Sequence, residues 1–285
     1  MDHIGEFFPD SPIWFRWLGR LAAPLFFYAL AVGFQHTRNR KKYLLRLYLA
    51  NVGMVFFNQI MCMLQRKLDY VAYQPKNHNI FTTLFCAGVL ICIWESRKEK
   101  KKFFTYIGIY IFWQAMVMGL AILAEAFDYV WRGNALLQTV LRTNYIFPLL
   151  GGIWDAEGGV FFIVLGIWLY CAVEKKGKLA LHYILFCGAY MFMCQGDILY
   201  RIMSRFSFWG YHKLADVIYF GSSFVGTPLG TSDLSLLTEF YQWMMIGALP
   251  IMLACNGKRG KSLKWLFYAA YPLQFLVLYG ISYYK

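Results

Sequence analysis

Apolar runs separated by short basic turns constrain this chain more than any other feature. A helix rises about 1.5 Å per residue and the hydrocarbon core of a bilayer is about 30 Å thick, so roughly 20 apolar residues suffice to cross it. Eight stretches are candidates: 13–34, 43–63, 79–95, 103–124, 158–173, 179–196, 240–255 and 263–284. The fifth and seventh are shorter than an ordinary span and are expected to extend into their flanks. Composition points the same way, with 59% of the 285 residues hydrophobic and 15% charged, against roughly 45–50% and 25% in soluble domains. An ordinary soluble enzyme is excluded. Aromatic residues make up 20% of the chain, which suits a protein with Tyr and Trp at two membrane–water interfaces. The expected fold is all-α, a polytopic transmembrane helix bundle of about eight spans forming a single domain over 1–285.

The net charge of +13 could suggest nucleic acid, but its distribution argues for topology instead. The basic residues gather in RNRKKYLLR (38–46), RKEKKK (97–102), KKGK (175–178) and KRGKSLK (258–264), each in the turn of a hairpin. Placed in the cytoplasm, these turns hold 17 of the 28 Lys and Arg against only Glu95, Glu99 and Glu174. The other side then holds 11 basic and 12 acidic residues, as positive-inside topology requires. Every hairpin agrees on this orientation, which puts both termini and the segments 64–78, 125–157 and 197–239 on the outer side of a cell membrane. Lipid is the expected partner and nucleic acid is not. The opening MDHIGEFFPD has neither the basic n-region nor the apolar core of a cleavable signal, so insertion is expected to rely on the spans. Seven cysteines (62, 86, 92, 171, 187, 194 and 255) lie mostly in apolar stretches. Their spacing is neither that of metal ligands nor of a paired framework, and no metal is expected.

Two outer segments are apolar yet broken by glycine and proline: YIFPLLGGIWDAEGG (145–159) and VIYFGSSFVGTPLG (217–230). Non-helical backbone at membrane depth survives only where protein or a wet cavity satisfies it. These segments are either re-entrant, cavity-lining pieces or interfacial loops.

Polar groups in apolar surroundings are costly and mark the places to seek function. The ionisable ones cluster on the outer side: Asp2, His3, Glu6, Arg16, Arg20, Glu125, Asp128, Asp155, Glu157, Asp197 and Arg201. Asn51, Asn58, Gln59, Gln114 and Gln195 are uncharged polar positions inside spans. An Asp-His pair can supply a general base, because a carboxylate on one imidazole nitrogen fixes the tautomer and raises the basicity of the other. Asp2 and His3 are either such a pair or a simple terminal dipeptide. His36, His78, His182 and His212 have no second ligand at i+3 or i+4 and read as interfacial or satisfied core residues. Asp197 and Arg201, four apart, share a helix face, as an ion pair or as the wall of a polar substrate cavity. The first basic run is denser than topology needs, and Arg38, Arg40, Lys41, Lys42 and Arg46 could hold the phosphates of a nucleotide-like ligand.

Residues 2–46 carry four ordered elements: the DHIG start, GR-x-A-x-P-L-F-x-[FY] at 19–28, GF-x-HTRN at 33–39 and KY-x-x-RL at 42–47. Together they resemble the N-terminal signature of the TraX family of bacterial membrane proteins. DAEGGVFFIVLGIWLYC (155–171) and FYAAYPLQFLVLYGI (267–281) extend the likeness over most of the chain. It departs from the family at Gln274, where a histidine is commoner, and in having the Asp-His pair directly after Met1 without a preceding apolar helix. The resemblance implies a membrane acetyltransferase that moves an acetyl group from cytoplasmic acetyl-CoA to a peptide, sugar or small amine. On that basis the phosphates of acetyl-CoA would meet Arg38, Arg40, Lys41, Lys42 and Arg46. His3 would act as base, oriented by Asp2, and Arg20 would stabilise the oxyanion, with Arg16, Asp155, Glu157, Asp197 and Arg201 as substrate contacts. The alternative is a transporter or a non-catalytic accessory membrane protein.

Overall fold

The computed structural model describes residues 2–8, 10–67, 79–130, 143–154, 156–194, 241–256 and 264–284. Among these residues every regular element is a helix. In chain order they are α1 (Asp2–Phe7), α2 (Trp14–Gly19), α3 (Ala22–His36), α4 (Arg40–Lys67), α5 (Ile80–Glu95) and α6 (Lys100–Val130). Then come α7 (Thr143–Leu150), α8 (Gly159–Ala172), α9 (Lys176–Cys194), α10 (Ala248–Ala254) and α11 (Lys264–Tyr284), with 3₁₀ turns at Ser96–Lys98 and Gln242–Gly247.

Helix falls on each of the eight apolar runs. Among the described residues five stretches are long and apolar enough to cross a membrane: Trp14–His36, Arg40–Leu64, Ile80–Lys98, Lys100–Ala124 and Leu266–Tyr283. Their 18 to 25 residues rise about 27–37 Å, which matches the hydrocarbon thickness. Gly159–Ala172 and Gln242–Ala254 are shorter apolar helices.

The boundaries differ from the apolar runs for local reasons. The run expected as one span over 13–34 is two helices, because α2 stops at Gly19 and α3 begins at Ala22. Pro24 then falls in the first turn of α3, where a missing N–H leaves nothing unsatisfied. Helices α4 and α6 outrun their apolar cores to Lys67 and Val130; α4 ends in Leu64, Gln65, Arg66 and Lys67, all good helix formers. Residues 125–130, expected in an outer loop, are helical although Phe127, Asp128, Tyr129 and Val130 are not strong helix formers. Helix α4 is started by Asn39, whose Oδ1 accepts the Lys42 N–H at 2.9 Å and so satisfies one orphan donor of the first turn.

The helices assort into two compact units, one made of 1–32 and 168–285, the other of 33–167. In the first, α1 packs on α2 and α11, α2 packs on the 242–247 turn, and α9 packs on that turn and on α10. Tyr183 of α9 donates its hydroxyl to the Met245 carbonyl at 2.5 Å. In the second, α5 lies between α4 and α6, and α7 packs on both α4 and α6. Helix α5 is the innermost, with 56% of its apolar stretch buried against 22% for α6.

Candidate functional site

In the first unit the amino-terminal helix is held in place by a cation on one side and aromatic rings on the other. His3 and Phe7 are four residues apart on α1, and Tyr271, Phe275 and Tyr279 repeat at the same interval on α11, so each set shares a helix face. The His3 ring lies 4.4 Å from that of Phe275 and 6.3 Å, edge-on, from that of Tyr271. Phe7 meets Tyr279 edge-to-face at 5.0 Å. Arg16 of α2 donates from Nη2 to the Gly5 carbonyl at 2.7 Å and from Nη1 to the Tyr241 hydroxyl at 3.2 Å. One turn later, Arg20 sets its guanidinium 4.9 Å from the centre of the Tyr241 ring, a cation–π distance. The arrangement thus gathers an imidazole-bearing helix and two guanidinium groups, with Tyr241 linking the latter. Asp2 lies in the first turn of α1, and its side chain is outside the described residues.

The first basic run lies in the second unit. Arg40 donates from Nη2 and Nε to the Glu95 carboxylate at 2.8 and 3.3 Å, and from Nη1 to the Thr37 carbonyl at 2.7 Å. This fork fastens the turn before α4 to the end of α5, so two basic turns lie at one end of the unit. Arg38, Lys41 and Lys42 are exposed. Arg46 sits 5.7 Å from the Tyr43 ring, and its buried Nε makes no hydrogen bond. In the first unit Lys176 Nζ donates to the Leu253 carbonyl at 2.7 Å, which ties the third basic turn to the chain just ahead of the fourth.

The second unit also holds a broken segment. After α7 the backbone leaves the helix, with Gly151 at φ +66° and Gly158 at φ +78°, until α8 begins. Helical residues on three sides satisfy its polar groups and the last carbonyls of α7. From α4, Tyr48 donates to the Leu149 carbonyl at 2.9 Å and Asn51 to that of Pro148 at 2.6 Å. From α5, Thr83 donates to the Glu157 carbonyl at 2.9 Å. From α6, Trp113 donates to Leu150 at 2.9 Å and Gln114 to Gly151 at 3.1 Å, while Gln114 Oε1 accepts the Ile153 N–H at 3.0 Å. Tyr145 on α7 also hydrogen-bonds Gln59 of α4. Behind these contacts, Asn51 Oδ1 accepts from Asn79 Nδ2 and Thr82 Oγ1, both at 2.7 Å. Non-helical backbone packed among apolar helices here has its carbonyls met by protein, the condition under which such backbone survives at membrane depth.

Of the residues singled out as substrate contacts, Glu157 lies in this segment and Arg16 on α2. Asp155, Asp197 and Arg201 lie outside the described residues, as do Gln195, His78, His212 and the 217–230 segment. His182 donates from Nδ1 to the Lys178 carbonyl at 2.9 Å, beside the Trp168 ring. Among the described residues no three His, Cys, Asp or Glu gather as a metal site would require. Sequence reasoning missed Tyr241 and the aromatic face of α11. The four-residue repeat of Tyr271, Phe275 and Tyr279 was a readable signal for the face, whereas nothing local marks Tyr241, 225 residues from Arg16.

An all-α chain whose described residues include five helical stretches able to cross a bilayer and a broken segment sheathed by its neighbours is a multi-span membrane protein. Over residues 1–190 it matches the family model described as TraX protein, and the chain belongs to the TraX family. No curated protein and no solved structure matches it.

Proposed function

We propose that the chain is a membrane acetyltransferase that moves an acetyl group from cytoplasmic acetyl-CoA to an amine or hydroxyl of a peptide, sugar or small-molecule acceptor. Family membership supports the class. The observation that carries the chemistry is the clamping of α1, which holds His3 against Phe275 while Arg16 grips the same helix at Gly5. A general base must be held at one place to work, and a terminal dipeptide without such contacts would be poorly ordered.

Bound acetyl-CoA supplies an activated acyl carbon. His3 accepts the proton of the acceptor group as that group attacks the thioester carbon, a contribution of about 10²–10⁴-fold, and Asp2 orients the imidazole; the C–S bond then breaks and coenzyme A leaves as its thiol, taking up the proton that the acceptor gave. Arg20 places positive charge where an oxyanion develops, and loss of one such donor costs roughly 10²–10³-fold. The donors of the first basic run fit phosphate chemistry unequally. Arg40 is engaged by Glu95 and Thr37 and shapes the turn. Arg38, Lys41 and Lys42 are exposed, and Arg46 keeps an unpartnered Nε, so these four are the phosphate contacts. Pairing of basic turns within each unit by Arg40–Glu95 and Lys176–Leu253 supports the orientation with those turns in the cytoplasm and both termini outside.

The broken segment at 151–158 favours a second reading, transport, because transporters build their sites from interrupted helices. Melting the purified protein in detergent with millimolar CoA separates the two. Ligand that binds only the folded state raises the melting temperature, so an acetyltransferase melts higher with CoA than without. No shift at millimolar CoA favours the transporter or accessory reading.

A further inference from the structure

The six-residue helix α1 is too short to be stable alone, since isolated helices below about 12–15 residues are marginal in water. Its last carbonyls also need partners from outside the helix. The Ile4 carbonyl takes the Phe8 N–H at 2.9 Å. The Gly5 carbonyl would take the N–H four residues on, but that residue is Pro9, which has none. Arg16 Nη2 fills this vacancy at 2.7 Å, a cationic donor at the negative end of a helix. Its aliphatic stem lies flat on the helix backbone, so a Cβ at Gly5 would sit 2.6 Å from Arg16 Cγ and 3.1 Å from Nε. The other nitrogen of the fork is held by the Tyr241 hydroxyl at 3.2 Å.

We infer that Arg16 is a positioning residue: with Gly5 and Tyr241 it fixes the helix that presents His3, and it does not bind substrate. This rests on the reading of His3 as the base. It assigns three residues to one device, in which Pro9 leaves a carbonyl open, Gly5 leaves room for the stem, and Tyr241 holds the second nitrogen of the guanidinium. The aromatic face of α11 completes the seat from the other side through Phe275 and Tyr279.

The test uses full-length protein in detergent with Arg16→Lys, Gly5→Ala, Tyr241→Phe and His3→Ala. Modification of His3 by diethylpyrocarbonate is timed by mass spectrometry, and turnover is measured with labelled acetyl-CoA and a short peptide bearing a free α-amine. Arg16→Lys and Gly5→Ala are expected to speed His3 modification several-fold. Both lower kcat on the order of 10²-fold, as a misplaced catalytic group does, with the peptide KM unchanged. Tyr241→Phe, which alters no backbone contact, shifts both readouts in the same direction by less, and keeps the test decisive if Gly5→Ala fails to fold. Wild-type His3 reactivity in Arg16→Lys and Tyr241→Phe together with a raised peptide KM would overturn the inference and make Arg16 a substrate contact. Wild-type turnover in His3→Ala would sink the catalytic reading instead, whatever the modification rates show.

Discussion

The seat of α1 and the broken segment at 151–158 solve the same problem, unsatisfied backbone in apolar surroundings, by opposite means. The broken segment and the end of α7 that leads into it are tied down at many points, with neutral donors from α4, α5 and α6 meeting the carbonyls of Pro148, Leu149, Leu150, Gly151 and Glu157. Asn51 is the most connected of these donors, tying the Pro148 carbonyl to Asn79 and Thr82. The end of α1 relies on one guanidinium, shared between the Gly5 carbonyl and the Tyr241 hydroxyl, and on ring contacts to α11. Many neutral bonds give a rigid wall, whereas one charged fork gives a seat that can be adjusted or lost by small changes.

That contrast breaks first at Asn51, which is fully buried and bonds Pro148, Asn79 and Thr82 at once. Asn51→Leu removes three buried hydrogen bonds at about 0.5–1.5 kcal/mol each; the Pro148 carbonyl keeps the Gly151 N–H and Asn79 keeps the Asn51 backbone carbonyl, both at 3.2 Å, while the Thr82 hydroxyl loses its acceptor. The expected loss is about 3 kcal/mol, seen as a large drop in melting temperature and in the yield of folded protein. Gly151→Ala is expected to cost less, about 2 kcal/mol, because the φ of +66° penalises a side chain by roughly 1–2 kcal/mol. A Cβ there also meets Phe85 at 2.8 Å, and that ring must shift. Tyr241→Phe is the mildest change, removing one half-buried hydrogen bond worth about 0.5–1.5 kcal/mol. Its melting temperature should barely move, while His3 becomes more reactive. Equal thermal losses in Asn51→Leu and Tyr241→Phe would erase the distinction between a many-bonded wall and a single-fork seat.

The helices were legible in the sequence because lipid demands long apolar runs, and every run carries helix. The ends were less so. Hydropathy marks the stretch that lipid touches, while α4 and α6 continue beyond it through Lys67 and Val130. The broken character of 145–159 was written in its glycines and Pro148. Its partners were not, because a backbone carbonyl has no sequence signature, and Asn51 and Gln114 could be seen only as polar residues out of place. At the site, His3, Arg16 and Arg20 stood out by type. Their organiser Tyr241 did not, since one tyrosine among 21 is marked only by folding that joins positions 16 and 241. Even so, Pro9 four residues after Gly5 already announces a carbonyl that some distant donor must meet.

The most direct measurement is acetyl transfer from labelled acetyl-CoA to a free-amine peptide by purified protein reconstituted in liposomes, wild type against His3→Ala. Transfer by the wild type and a fall of about 10²–10⁴-fold in the variant, with the melting temperature unchanged, is the expected result. Equal rates in the two proteins would contradict a histidine-based acetyltransferase.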